Sequence, residues 1–197
     1  MIILIAGVPG TGKSSVAGVL AGELGCSVVE QSQLLIERGA ASPDPSGRLT
    51  YIIDWDRALD VASGISSGMG CRIVVSVTPL LWLEAAATEV AFIALLRTDP
   101  RVLEVRLSSR GWVRGKVVEN VLAEAFGVLA EELYEFEHDV VEVDTTRLSP
   151  SRAASKLLGK VEAWKTGISI DWLSVEGVPD FVSKLLSERD FHEYRGV

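Results

Sequence analysis

The chain has 197 residues, 48% of them hydrophobic, and a formal net charge of −8 at pH 7. That length suits one domain with a substantial core, and the acidic balance argues against a broad nucleic-acid surface. No apolar run reaches the ~20 residues of a membrane span, and no basic segment precedes the N-terminal apolar run, so a cytoplasmic location without a membrane partner is expected.

Ile2-Ile3-Leu4-Ile5 is short, apolar and rich in β-branched residues, which predicts a buried strand. It leads into Gly7, Val8, Pro9, Gly10, Thr11, Gly12, Lys13 and Ser14, a match to G-x-x-x-x-G-K-[ST], with Ser15 next. Val16, Val19, Leu20 and Leu24 then recur at helical spacing. Glycines let successive backbone N–H groups turn toward phosphate oxygens, and the helix N-terminus adds partial positive charge. In that setting Lys13 reaches the β- and γ-phosphates of ATP, and the Ser14 hydroxyl binds Mg²⁺, the expected cofactor.

Gly25 ends the first helix, and residues 27–30 read as a second strand. Ser32 is expected to cap a short helix over 33–38, followed by a surface loop over 40–47. Residues 49–53 read as extended, and Asp54 or Asp56 starts a helix that fades among Gly64, Gly68 and Gly70. Strands are predicted over 71–77, 90–96 and 140–144, and helices over 80–88, 101–110, 116–137 and 149–164. Alternating apolar strands and helices imply a parallel α/β sheet covered on both sides. Residues 165–197 are expected to form a helical extension packed on the body, with a partner-docking tail as the alternative. Cys26 and Cys71 make neither a C-x-x-C pair nor a disulfide framework, and are expected as two small core residues. His138 and His192 give no metal constellation.

Residues 97–116 hold Arg97, Arg101, Arg106, Arg110, Arg114 and Lys116, offset only by Asp99 and Glu104. Arg106 and Arg110 are four apart and share a helix face. Gly111 and Gly115 suggest a hinged flap that brings arginines over a polyphosphate, where cations stabilise the moving charge.

The segments GVPGTGKSS, LLRTDPRVLEVRLSSRGW, KVVENVLAEAFGVLAEE and VDTTRLSP, in that order, resemble the archaeal and nuclear adenylate kinase family, the isoenzyme-six type also known as a ribosome-assembly ATPase. The resemblance spans about residues 1–164. It implies a P-loop nucleoside monophosphate (NMP) kinase fold, a three-layer α/β sandwich with a five-stranded parallel sheet, an NMP region near 31–56 and a small lid near 110–118. By resemblance, residues 7–15 bind the ATP phosphates, Arg106 and Arg110 act as lid arginines, and Gln33 and Arg38 face the monophosphate.

The implied activity is phosphoryl transfer from Mg-ATP to AMP or a related monophosphate, with ATP hydrolysis as a side reaction. The alternative is a nucleotide-switched assembly factor that docks a small-subunit ribosomal protein. A small-metabolite kinase is a third reading that explains the lid segment less well. The sequence departs from the family where its third strand ends in Asp-x-His, since Ser76 and Thr78 stand there instead. Loss of a carboxylate beside Mg²⁺ lowers metal affinity and rate. Trp112 suits stacking on adenine or packing of the hinge, Asp144 a base contact or a turn, and Asn120 a phosphate contact or solvent.

Overall fold

The computed structural model describes residues 1–45 and 50–193, with the backbone alone for 137, 138 and 189–193. Gly47 and Leu49, within the expected loop and extended segment, lie outside the described residues, as do the side chains of His138 and His192.

In chain order the elements are β1 (Ile2–Ala6), α1 (Lys13–Leu24), β2 (Ser27–Glu30), α2 (Gln31–Glu37), β3 (Ala41–Pro43), β4 (Tyr51–Ile53), α3 (Trp55–Ser66) and β5 (Arg72–Ser76). These are followed by α4 (Pro79–Ala86), β6 (Val90–Arg97), α5 (Pro100–Ser108), α6 (Arg114–Ala125), α7 (Val128–Glu132), β7 (Val140–Asp144), α8 (Pro150–Glu162) and α9 (Val178–Glu193). The main sheet is parallel, in the order β2-β5-β1-β6-β7. This is the α/β architecture the alternation of strands and helices predicts.

Because successive strand residues point to opposite faces, each central strand feeds two cores. Ile2, Leu4 and Ala6 join one cluster with residues of α3, α4, α5, α6 and α9, whereas Ile3 and Ile5 join a second with α1 and α8. All five residues of β1 are buried, as a strand covered on both faces requires. The loop after β1 therefore emerges from the centre of the sheet at its carboxyl edge, where connections depart in opposite directions and ligands bind.

Several expectations are corrected. Cys26 and Cys71 form a disulfide, not two separate core residues. Each immediately precedes its strand, and Ser27 pairs in register with Arg72, so the two Cα atoms lie 4.7 Å apart. The long helix expected over 116–137 breaks at Gly127, whose φ of 67° ends α6 in the left-handed conformation. Part of the expected loop over 40–47 is strand, since β3 pairs antiparallel with β4. The short helix begins at Gln31 rather than 33, with Glu30 instead of Ser32 at its cap position.

The C-terminal segment is stitched into the body. Gly167 bridges to Val141, the Trp172 indole N–H donates to Glu124, and Val178, Val182 and Leu185 are buried in the larger core. The Arg114 side chain at the start of α6 donates to Glu104 of α5 and Glu188 of α9, so α9 braces the two helices flanking the turn at 109–113.

Candidate nucleotide site

Residues 7–12 connect β1 to α1 as a tightly packed loop. A Cβ on Gly7 would lie 2.6 Å from the Thr11 hydroxyl oxygen and 2.7 Å from the Leu96 carbonyl oxygen. One on Gly10, whose φ is 93°, would lie 2.6 Å from a Leu103 methyl. Only glycine fits at either place. The Thr11 hydroxyl donates to the Val8 carbonyl at 2.9 Å, and the Thr145 hydroxyl donates to the Thr11 carbonyl at 2.9 Å, tying the loop to the end of β7.

The Lys13 ammonium donates to the Gly7 carbonyl at 2.7 Å and the Val8 carbonyl at 3.0 Å. Its residue is only 8% exposed. Burial brings its pKa from 10.5 down to about 8; Glu30 and Glu124 act in the opposite sense, and Arg110 adds to the fall. Ser14 and Ser15 are exposed in the first turn of α1, at the positive end of its dipole.

Arg106 and Arg110 both reach this loop. The Arg106 guanidinium donates to the carbonyls of Gly10, Thr145 and Thr146 and to the Thr98 hydroxyl. Burial and the adjacent Arg110 hold its pKa below the usual arginine value, against the attraction of Asp144. The Arg110 side chain has no hydrogen bond or ion pair among the described residues, and it borders two cavities at the loop. One, of about 160 Å³, lies toward Thr145 and α8. The other, of about 300 Å³, is bordered by Lys13, Ser14, Glu30, Ser76 and Trp112.

A third cavity of about 400 Å³ opens between α2, the β3–β4 hairpin and α6. Gln31, Ser32, Tyr51, Trp112, Lys116 and Asn120 are among its walls. Pro9, Ser32, Val77 and Trp112 border both this cavity and the 300 Å³ one. Gln33 and Arg38 do not line it. The Gln33 amide donates to Glu37 at 2.7 Å on the exposed side of α2, and Arg38 is an exposed cap residue. Residues four apart share a helix face, and α2 packs with Gln31 and Leu35 inward and Gln33 and Glu37 outward.

Gln31, which opens the NMP region read near 31–56 but is not among the contacts expected there, is the polar residue of α2 that faces inward. Buried at 1% exposure, it accepts from the Ser76 hydroxyl at 2.5 Å and the Trp82 indole N–H at 2.8 Å through one oxygen. Its amide nitrogen donates to the Thr78 hydroxyl, and the Thr78 backbone N–H donates to the Ser76 oxygen at 3.0 Å. Ser76 ends β5 in register with Ala6, beside the loop where the expected acid would stand. Asp144 accepts from the Thr146 backbone N–H and hydroxyl, a turn role that sets the carbonyls gripping Arg106. The Asn120 amide donates to the Lys116 carbonyl at 2.7 Å.

A family profile described as "AAA domain" matches residues 3–127. A protein of Sulfurisphaera tokodaii is 34% identical over 185 residues, covering 94% of this chain and 93% of its own; one of Pyrococcus abyssi is 30% identical over 178 residues, covering 89% and 93%. Both carry the name "Putative adenylate kinase". The chain belongs to this adenylate kinase family of P-loop proteins. Since the first match takes in 94% of the chain, the kinship runs past residue 164 into the C-terminal segment.

Solved structures share the family's fold. Shikimate kinase from Acinetobacter baumannii in complex with shikimate superposes with a TM-score of 0.60 at 17% identity, over 83% of this chain and 94% of that one. A gluconokinase from Sinorhizobium meliloti 1021 gives 0.53 at 16%, over 94% and 95%. Among the described residues no three His, Cys, Asp or Glu side chains gather to hold a metal ion. Besides Lys13, the cavity wall carries the side-chain oxygens of Ser14, Ser15, Ser32 and Ser76 and the Glu30 carboxylate. Such a sparse, all-oxygen set suits Mg²⁺, which keeps several waters and takes its remaining ligands from substrate phosphates. No helix among the described residues is long and apolar enough to cross a membrane.

Proposed function

We propose that the chain transfers the γ-phosphoryl group of Mg-ATP to a nucleoside monophosphate, AMP first among them, in the cytoplasm. The observation that carries this reading is the shared wall. The 300 Å³ cavity over Lys13 and the 400 Å³ cavity beside α6 have Pro9, Ser32, Val77 and Trp112 in common, so a donor phosphate in one faces an acceptor in the other.

In this reading Gly7, Val8, Pro9, Gly10, Thr11, Gly12, Lys13, Ser14 and Ser15 cradle the donor phosphates. Lys13 leaves its two carbonyls for the β- and γ-oxygens. Arg110 swings onto the transferred group, while Arg106 fixes the rim and adds its charge. Mg²⁺, held by Ser14 and the phosphates, would neutralise charge across the β- and γ-oxygens. Every protein group here positions or stabilises, and no covalent intermediate is required. The acceptor contacts fall to Ser32, Lys116 and Asn120, on a wall that the buried Gln31 holds in place. Residues 1–164 carry the catalytic body, and 165–197 are its braced extension.

A second reading, the nucleotide-switched factor that docks a small-subunit ribosomal protein, is favoured by the uncharged Ser76 network, which gives the metal no acid on β5. One assay separates the two: ADP formation from Mg-ATP with and without AMP, beside Lys13→Ala. The kinase reading expects AMP to raise the rate many-fold and two ADP to appear per ATP. ATP binding with no response to AMP overturns it in favour of the switch.

A further inference from the structure

The cavity over Lys13 has one acid in its wall among the described residues, Glu30. Glu30 is the last residue of β2 and pairs in register with Val75, one position before Ser76 on the neighbouring strand. Its backbone occupies the cap position of α2, yet its side chain makes no capping hydrogen bond there. Nor does its carboxylate have any other hydrogen bond or ion pair among the described residues. A half-buried carboxylate with its acceptor oxygens unspent is poised for something that enters the cavity. Glu30 shares the wall of this cavity with Lys13 and Ser14, residues of the phosphate-loop motif.

Ser76 cannot supply the same thing. Its proton is committed to Gln31 and its oxygen receives the Thr78 N–H, so it offers at most one neutral lone pair. A divalent cation at the phosphates is better served by a negative charge in its surroundings than by a hydroxyl alone. The adjacent strand end provides that charge.

We propose that Glu30 is a metal-positioning residue: its carboxylate orders water bound to the Mg²⁺ that Ser14 and the nucleotide phosphates hold, so that the acidic partner of the metal stands on β2 instead of β5. No bond is made or broken in this role. The assignment rests on the reading of residues 7–15 as a Mg-ATP site, and it names which side chain of this chain completes that site.

The test measures binding as well as turnover. Wild type, Glu30→Gln, Ser76→Asp and the double variant are saturated with ATP and titrated with Mn²⁺, followed by electron paramagnetic resonance. ATP affinity is measured separately in EDTA, and turnover over a Mg²⁺ series. Glu30→Gln should weaken Mn²⁺ binding about 10–100-fold, as loss of an outer partner of a metal typically does. It should leave metal-free ATP affinity unchanged or slightly higher, and shift the Mg²⁺ requirement for turnover in step. Adding Ser76→Asp should restore most of the Mn²⁺ affinity. If the aspartate variants do not melt cooperatively, Glu30→Asp takes their place and should retain more Mn²⁺ affinity than Glu30→Gln.

Mn²⁺ affinity within twofold of wild type in Glu30→Gln overturns the assignment. So does an equal loss of ATP affinity with and without metal, which would give Glu30 to Lys13 rather than to the metal. Wild type that binds no ATP in either condition overturns the nucleotide reading itself, and is distinguished by that result.

Discussion

Arg97 and the cations of the phosphate loop lie on either side of Thr98, and they are held on opposite principles. On one side Arg97, 2% exposed, donates to Glu124 and Glu142 at 2.9 Å each, and to the Glu124 and Ile170 carbonyls. Trp172 packs over its guanidinium at 6.0 Å from the ring centre. Glu142 in turn accepts from the backbone N–H groups of Ser169 and Ile170. On the other side Lys13 and Arg106 are held mainly by backbone carbonyls, and among the described residues no carboxylate bonds to either and the Arg110 side chain has no hydrogen-bond partner. Thr98 joins the two, its N–H donating to Glu124 and its hydroxyl accepting from Arg106.

The difference separates structure from function. A cation neutralised by carboxylates inside the protein has no charge left to offer, and its burial is tolerable because every donor is satisfied. A cation held by carbonyl dipoles keeps its full charge, at the expense of desolvation, and can trade those dipoles for phosphate oxygens. The first cluster also welds the C-terminal segment to β6, β7 and α6, the scaffold behind the second.

The largest expected effect comes from breaking the structural side. Glu124→Ala leaves Arg97 half-paired and strands the Thr98 and Trp172 donors, so stability should fall by about 3–5 kcal/mol. By calorimetry that is a drop of about 6–20 °C in Tm. A drop of a degree or two would mean that this cluster is not what holds the C-terminal segment.

Lys13→Ala is the mirror experiment. Turnover should fall at least about 10²–10³-fold while Tm does not drop, since the substitution relieves a desolvated charge. The two arginines then sharpen the contrast. Arg110→Ala should lower kcat about 10²-fold with Tm within about 2 °C of wild type, because it removes an exposed side chain with no hydrogen bond or ion pair among the described residues. Arg106→Ala should lose comparable activity and also about 1–3 kcal/mol of stability, since the Thr145 and Thr146 carbonyls lose their donor. Equal melting curves for the two variants would erase the distinction.

The smallest effect is one of pH. In the unfolded chain Lys13 keeps its proton to about 10.5, whereas in the folded protein it gives it up near 8. Between those values the unfolded state binds more protons, so the unliganded protein should gain stability as pH rises through that window. ATP needs the charged ammonium, so its affinity should hold below about pH 8 and decline above it. Calorimetric titration and thermal melts across the window read both trends, and Lys13→Ala should flatten both.

The sequence alone was enough for the phosphate loop and the layered α/β body. Glycine spacing, the Lys13-Ser14 pair and the run of β-branched residues are local signals whose physics needs no distant partner. The five strands of the main sheet fall where apolar alternation with helices puts them. What only the tertiary structure decided depends on residues far apart in the chain. The Cys26–Cys71 bond exists because β2 and β5 become neighbours, a pairing that no spacing rule reveals. Gln31 matters through Ser76, Thr78 and Trp82, more than 40 positions away, and the packing of α2 on its Gln31–Leu35 face leaves Gln33 and Arg38 exposed. Arg97 reads in sequence as one more member of a basic flap. In the fold it is the buried hub of a network spanning β6, β7, α6 and the segment at 169–172, because burial selects for partners and sequence distance does not.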